Sequence, residues 1–140
     1  MSKSVPTVDD YMARDLVTLT PADDIHTAVR TLLDKRISGA PVVDRRGRLV
    51  GVLSKKDCLE VIYSTSYHQE WGGNVEDYMS KEVTTIESGT NIINAADVFM
   101  NSSFRRFPIL KNGRMTGQIS RADLLRALEE HWANAQPTAR

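Results

Sequence analysis

Two seven-residue stretches carry the side chains best placed to do chemistry: Gly51-Val52-Leu53-Ser54-Lys55-Lys56-Asp57 and Gly117-Gln118-Ile119-Ser120-Arg121-Ala122-Asp123. Each keeps a glycine, an aliphatic residue, a serine, a cation and an aspartate at the same spacing. If a strand gives way to a helix at the serine, the helix start offers N–H groups and a partial positive charge. The hydroxyl can donate and the cation stands beside it, which suits a phosphate. The aspartate three residues on is wrong for phosphate but right for a ribose, whose vicinal hydroxyls can both donate to one carboxylate. Phosphate and ribose together suggest a nucleotide. The same Ser-x-x-Asp spacing also reads as a variant capping box, with serine closing the helix and aspartate serving its dipole. The two readings are compatible.

Other chemistries fit poorly. Ser-His-Asp hydrolysis needs an oriented histidine, yet His26, His68 and His131 fall in a helix start, an inter-repeat segment and a helix end, and no Gly-x-Ser-x-Gly elbow occurs. The single cysteine, Cys58, cannot form an intramolecular disulfide and sits on the apolar face of its helix, where a thiol is inert. No Cys/His cluster has zinc spacing, and Walker and Rossmann glycine loops are absent. The expectation is a protein that is not an enzyme, with no metal and no resident cofactor.

The elements that hold these stretches repeat. An offset of 67 residues aligns Val8, Asp10, Tyr11 and Met12 with Val75, Asp77, Tyr78 and Met79, then Thr18 with Thr85, Ala28 with Ala95 and Pro41 with Pro108. One residue is lost at a Gly-bearing turn, after which an offset of 66 aligns Gly47, Arg48, Gly51, Ser54, Asp57 and Leu59 with Gly113, Arg114, Gly117, Ser120, Asp123 and Leu125. Turns absorb length changes that strands cannot, so this is the trace of a duplicated folded unit.

Within each repeat the order reads β-α-β-β-α, led in by a brief helix around Asp9 to Met12 and Glu76 to Met79. Asp15 to Leu19 is β-prone, and Thr20-Pro21-Ala22-Asp23 predicts a helix start. Ile25, Ala28, Val29, Leu32 and Leu33, matched by Ile92, Ala95, Ala96, Phe99 and Met100, have the spacing of one buried helical face. Pro41 to Val43 and Leu49 to Leu53 flank a turn as a hairpin, and Asn112-Gly113 turns the second copy. The last helices carry Cys58, Leu59 and Ile62, or Leu124, Leu125, Leu128 and Trp132, on one side. This divides the chain into a first repeat over 8–62, an aromatic segment over 63–74 with Tyr63, Tyr67 and Trp71 that reads as packed linker, a second repeat over 75–131 and a fraying tail over 132–140. A repeat of this size leaves a sheet face uncovered, and the other copy is the obvious cover.

At 140 residues, 41% hydrophobic and 26% charged, the chain is globular and too short for two full enzyme domains. Eighteen basic residues cancel eighteen acidic ones, and neither half concentrates charge, so nucleic acid is an improbable partner. There is no signal-like or membrane-spanning apolar run. A cytoplasmic location is expected.

An apolar-x-x-x-Pro-Val/Ile strand, a hairpin, Gly-x-aliphatic-Ser-x-x-Asp and a helix, all present twice, resemble tandem cystathionine β-synthase (CBS) domains over about Val8 to His131. The resemblance implies an α+β Bateman module: two β-α-β-β-α repeats packed through their sheets with pseudo-twofold symmetry, leaving two clefts. Such clefts take adenosine ligands (AMP, ADP, ATP or S-adenosylmethionine) as regulatory ligands. By position, Ser54 and Asp57 match the phosphate-side serine and ribose aspartate, and Val17, Thr18, Ile37, Ala40 and Pro41 the adenine slot. The second slot would comprise Thr84, Thr85, Phe104, Phe107, Pro108, Ser120 and Asp123. Arg105 and Arg106 match basic residues that reach phosphates in the cleft of the other repeat, where repeat one has Ser38 and Gly39. Adenine is favoured over guanine, since no carboxylate in the matched positions reads a 2-amino group.

Resemblance further implies a homodimer paired through helices and an unidentified regulated protein met in trans. Two function classes stay open: a sensor of adenosine nucleotides, and an interaction or scaffold module whose clefts are vestigial and whose Ser-x-x-Asp elements only cap helices.

Overall fold

In a computed structural model, which describes residues 4–68 and 72–135, helices and strands alternate along the chain. A single 3-10 turn at Val8–Asp10 is followed by α1 (Ile25–Lys35), the hairpin β1 (Gly39–Val43) and β2 (Leu49–Ser54), and α2 (Lys55–His68). The second series is α3 (Val75–Tyr78), β3 (Ile86–Glu87), α4 (Ile92–Met100), the hairpin β4 (Arg106–Lys111) and β5 (Arg114–Ser120), and α5 (Arg121–Ala135). The mixed α+β class and the duplicated order agree with the sequence.

The chain divides into two compact units, and their composition is not simply one repeat each. The first unit holds Val17–Val83 with Gly113–Met115; the second holds the chain up to Leu16, Thr84–Asn112 and the chain from Thr116 onward. The lead-in helix of each repeat has therefore crossed to the unit built on the other repeat. In the first unit Val75 is fully buried among Leu32, Val42 and Leu53, and Ser80 exchanges two backbone hydrogen bonds of 2.9 Å with Val52 on β2. In the second unit Val8 is fully buried among Ile92, Ile109 and Ile119, and Ala13 bonds Gln118 on β5 in the same way, at 2.8 and 3.0 Å.

Local chemistry explains most element ends. α1 begins at Ile25, later than Thr20-Pro21 suggested. Thr20 and Asp23 close a turn on each other, with the Thr20 N–H and hydroxyl donating to the Asp23 carboxylate at 2.8 and 2.7 Å, and Asp24 then caps the helix by accepting from the Thr27 N–H at 3.0 Å. Asn91 caps α4 in the same way. At the other end of α1, Arg36 takes the left-handed conformation, φ 56°, and its N–H closes on Leu32 and Leu33. The Asn112-Gly113 turn has φ of 54° and 79°, the left-handed pair that a two-residue hairpin requires.

Several expectations fail. Asp15 to Leu19 forms no strand: Leu19 alone makes a parallel bridge to Val42, whereas the matching Ile86–Glu87 pairs with β4 as a two-residue strand. Leu33 and Met100 do not belong to the buried helical faces but are exposed, as are Leu59, Ile62, Leu125 and Trp132. Cys58 and Leu124 are buried as expected, but the stripe continues from them through Val61 and Ala127, one position away from Ile62 and Leu128 and so about 100° around the helix. α2 runs on through residue 68 into the segment between the repeats, and α5 through Ala135 into the tail. Trp71 and residues 136–140 lie outside the described residues. No helix among the described residues is long and apolar enough to cross a membrane.

Candidate functional site

The two serine–aspartate junctions lie one in each unit, each where a hairpin strand becomes a helix. In the first unit β2 ends at Ser54 and α2 starts at Lys55. Antiparallel register sets Gly39 opposite Ser54, Ala40 opposite Leu53 and Pro41 opposite Val52, so the start of β1 flanks the junction. Gly39 has a reason there: a Cβ on it would meet the Leu53 carbonyl oxygen at 3.0 Å. Leu19 bonds across to Pro41 and Val43, which brings the preceding Val17 and Thr18 alongside β1. The seven residues assigned to the first slot thus belong to one unit and the seven assigned to the second belong to the other, the unit that also holds Arg105 and Arg106, which were expected to reach the cleft of the first repeat.

At the first junction the serine and aspartate are bonded to each other. Ser54 N–H and hydroxyl donate to Asp57 Oδ2 at 2.8 and 2.9 Å, and Asp57 N–H donates to Ser54 Oγ at 3.1 Å. The second junction repeats this with Ser120 N–H on Asp123 Oδ2 at 3.0 Å and Asp123 N–H on Ser120 Oγ at 3.2 Å. These are true reciprocal caps. The helix-start amides are also more occupied than expected, because Lys55 N–H donates to Ser38 O and Arg121 N–H to Arg105 O, both at 2.9 Å. An incoming phosphate therefore finds fewer free donors than an open helix end provides.

Each capping carboxylate spends Oδ2 on the cap and turns Oδ1 elsewhere. Asp57 Oδ1 accepts the Ser80 hydroxyl at 3.4 Å, and Asp123 Oδ1 lies 3.5 Å from Arg126 Nη2. Sequence reading missed both Ser80 and Arg126. Ser80 comes from the lead-in segment that crosses between units, and Arg126 is visible only as the +3 neighbour of Asp123 on α5.

The remaining residues differ in accessibility. Thr18, Thr84, Phe104, Arg105 and Arg106 are exposed, while Val17, Ile37, Thr85 and both serine–aspartate pairs are half-buried. Ala40 and Phe107 sit in the hydrophobic cores, and Pro41 and Pro108 are buried. Phe107 packs edge-on against Phe99 at 4.7 Å and Phe104 at 6.1 Å between ring centres. Burial, with the Asp57 charge adding to it, pushes the Cys58 thiol up, away from the reactive thiolate. Among the described residues no group of three His, Cys, Asp or Glu side chains gathers as a metal site.

Comparison with known proteins finds the family described as "CBS domain" twice in the chain, at residues 8–64 and 75–130. Among solved structures, CBSX2 of Arabidopsis thaliana in complex with AMP superposes with a TM-score of 0.77 at 28% identity, over 90% of this chain and 98% of that one. The Methanocaldococcus jannaschii protein MJ1225 is 27% identical over 126 residues, 90% of this chain and 44% of that protein. A 17.7 kDa protein of Acidianus ambivalens is 31% identical over 109 residues, 77% of this chain and 64% of that protein. The chain thus spans less than two thirds of either relative.

Proposed function

This chain belongs to the CBS-domain family and carries the domain twice, and from that premise we propose that it is a regulatory module that binds adenosine nucleotides without turning them over. One observation carries the reading. In both units a half-buried aspartate is fixed by its own cap through Oδ2 and turns Oδ1 away from that cap, towards the Ser80 hydroxyl in one unit and the Arg126 guanidinium in the other. Pre-positioning matters because a ribose clamp needs a carboxylate that is already ordered. The AMP bound by CBSX2, similar in fold over nearly the whole chain, supports adenosine as the ligand class.

The sensor passes its state to a protein met in trans. Homodimerisation belongs to the same reading and is supported by the apolar side chains that α2 and α5 expose, Leu59 and Ile62 on one and Leu125 and Trp132 on the other.

A thermal-shift panel tests the ligand class. AMP, ADP, ATP or S-adenosylmethionine should raise Tm in a concentration-dependent way, as a ligand that binds the native state must, and GMP should raise it less. A Tm indifferent to every adenosine compound at millimolar concentration would contradict the proposal. Phosphate or adenine released steadily by pure protein would contradict the non-catalytic part of it.

A further inference from the structure

Asp57 and Asp123 occupy matching junctions in different company. Beside Asp57 Oδ1 stands the hydroxyl of Ser80, at 3.4 Å. The position matching Ser80 at the 67-residue offset is Ala13, which has no hydroxyl, and Asp123 Oδ1 instead faces the Arg126 guanidinium at 3.5 Å. The position matching Arg126 at the 66-residue offset is Glu60, whose sign forbids the same contact with Asp57.

Arg126 is not a loose surface cation. Its Nε lies 4.0 Å from Glu130 Oε2, its guanidinium carbon lies 5.6 Å from the Tyr11 ring centre, and the Tyr11 hydroxyl donates to Glu130 at 3.0 Å. Carboxylate, ring and second carboxylate hold it over Asp123, whose side chain is only 20% exposed.

The two neighbours respond differently to a ribose. A serine hydroxyl can rotate from donor to acceptor and stay beside an incoming hydroxyl, whereas a guanidinium only donates and competes with the ribose for the same oxygen. Resting on the nucleotide reading above, we propose that Arg126 is a built-in counter-ion of the second ribose carboxylate. The Asp57 junction accordingly fills first, and the Asp123 junction fills only as Arg126 gives way. Because Arg126 is half exposed, its hold is modest and corresponds to a two- to fivefold, roughly, difference in affinity.

Calorimetry with AMP on the full chain tests this through four variants. Wild type should show a tighter and a weaker class of site, with Asp57→Asn removing the tighter one. Arg126→Gln should tighten the weaker class by about two- to fivefold and leave the other unchanged. Glu60→Arg should weaken the tighter class by installing the missing cation. Glu130→Gln leaves Arg126 on Asp123 and should not tighten the weaker class. A weaker class that is unchanged or loosened in Arg126→Gln, or tightened equally in Glu130→Gln, would overturn the assignment, as would two equal sites in wild type with the nucleotide reading left standing. No AMP binding by any of these proteins at millimolar ligand would overturn that reading itself, and the inference with it.

Discussion

A methyl group placed on Gly51 would lie 2.7 Å from the Met79 sulfur and 2.8 Å from the Ser80 carbonyl oxygen. The matching Gly117 stands in the same relation to Met12 and Ala13, at 2.5 and 2.8 Å. Neither glycine has a positive φ, so what the repeated glycine provides is room: the lead-in segment lies directly on the strand that ends in the serine–aspartate junction. Since Ser80 also reaches Asp57, this close approach sets the surroundings of the candidate ribose carboxylate.

Gly51→Ala should therefore cost about 1 to 3 kcal/mol, the usual penalty for forcing a methyl into filled space. Adding Met79→Ala should not restore it, because the backbone oxygen of Ser80 remains in the way. Urea denaturation reads both; an alanine variant as stable as wild type would show that the lead-in moves aside freely.

Arg36 offers the opposite case. It holds a left-handed conformation that costs a side chain but not glycine, so Arg36→Gly should stabilise the chain by about 0.5 to 1 kcal/mol. Lys35→Gly, one position earlier and inside α1, should destabilise it by about 1 kcal/mol. Equal effects from the two glycines would contradict the assigned helix end.

Acid should weaken the fold through Asp9, Asp24 and Asp44. Burial acts to raise the Asp9 carboxyl, but the Ser88 hydroxyl and the Gly89 N–H that donate to it carry it below the ordinary range. The Thr27 N–H lowers Asp24 and the Arg48 N–H lowers Asp44. Values depressed in the folded state supply stability that is complete above the unfolded value of about 3.9 and disappears as pH falls through the folded ones. Asp9→Asn should lower stability at neutral pH and flatten the loss between about pH 5 and pH 2. An unchanged acid limb would argue against the Asp9 contacts.

Leu59→Glu combined with Leu125→Glu should yield a monomer by light scattering where wild type gives a dimer. Both side chains are exposed, so the folding stability of the monomer should change little. A wild-type monomer at micromolar concentration would remove the dimer from the proposal.

Much of this was legible in the residues. Asn112-Gly113 specifies its turn by itself, and Ser-x-x-Asp marked both helix starts because capping is a local affair of four residues. What stayed hidden was non-local or angular. Val8 and Val75 align with each other in sequence, yet nothing in the alignment says that each packs into the unit of the other repeat. Leu59 and Leu125 are leucines next to a buried stripe, and hydrophobicity alone does not resolve a rotation of 100°, roughly one residue around a helix. Thr20-Pro21 resembles a helix start because proline suits that position, but the Thr20–Asp23 turn consumed the same groups and left the cap to Asp24. Arg126 could be recognised only once Asp123 was seen to turn one oxygen towards it.

If Asp57 and Asp123 hold a ribose as well as cap their helices, AMP calorimetry on the Asp57→Asn/Asp123→Asn double variant will show it. Asparagine keeps a short polar side chain in each first turn, so the capping loss should stay near 0.3 to 1 kcal/mol, roughly, per site. Losing charge-assisted hydrogen bonds to two ribose hydroxyls should weaken AMP by about tenfold or more. Wild-type AMP affinity in the folded double variant would contradict the account and leave the aspartates as caps alone.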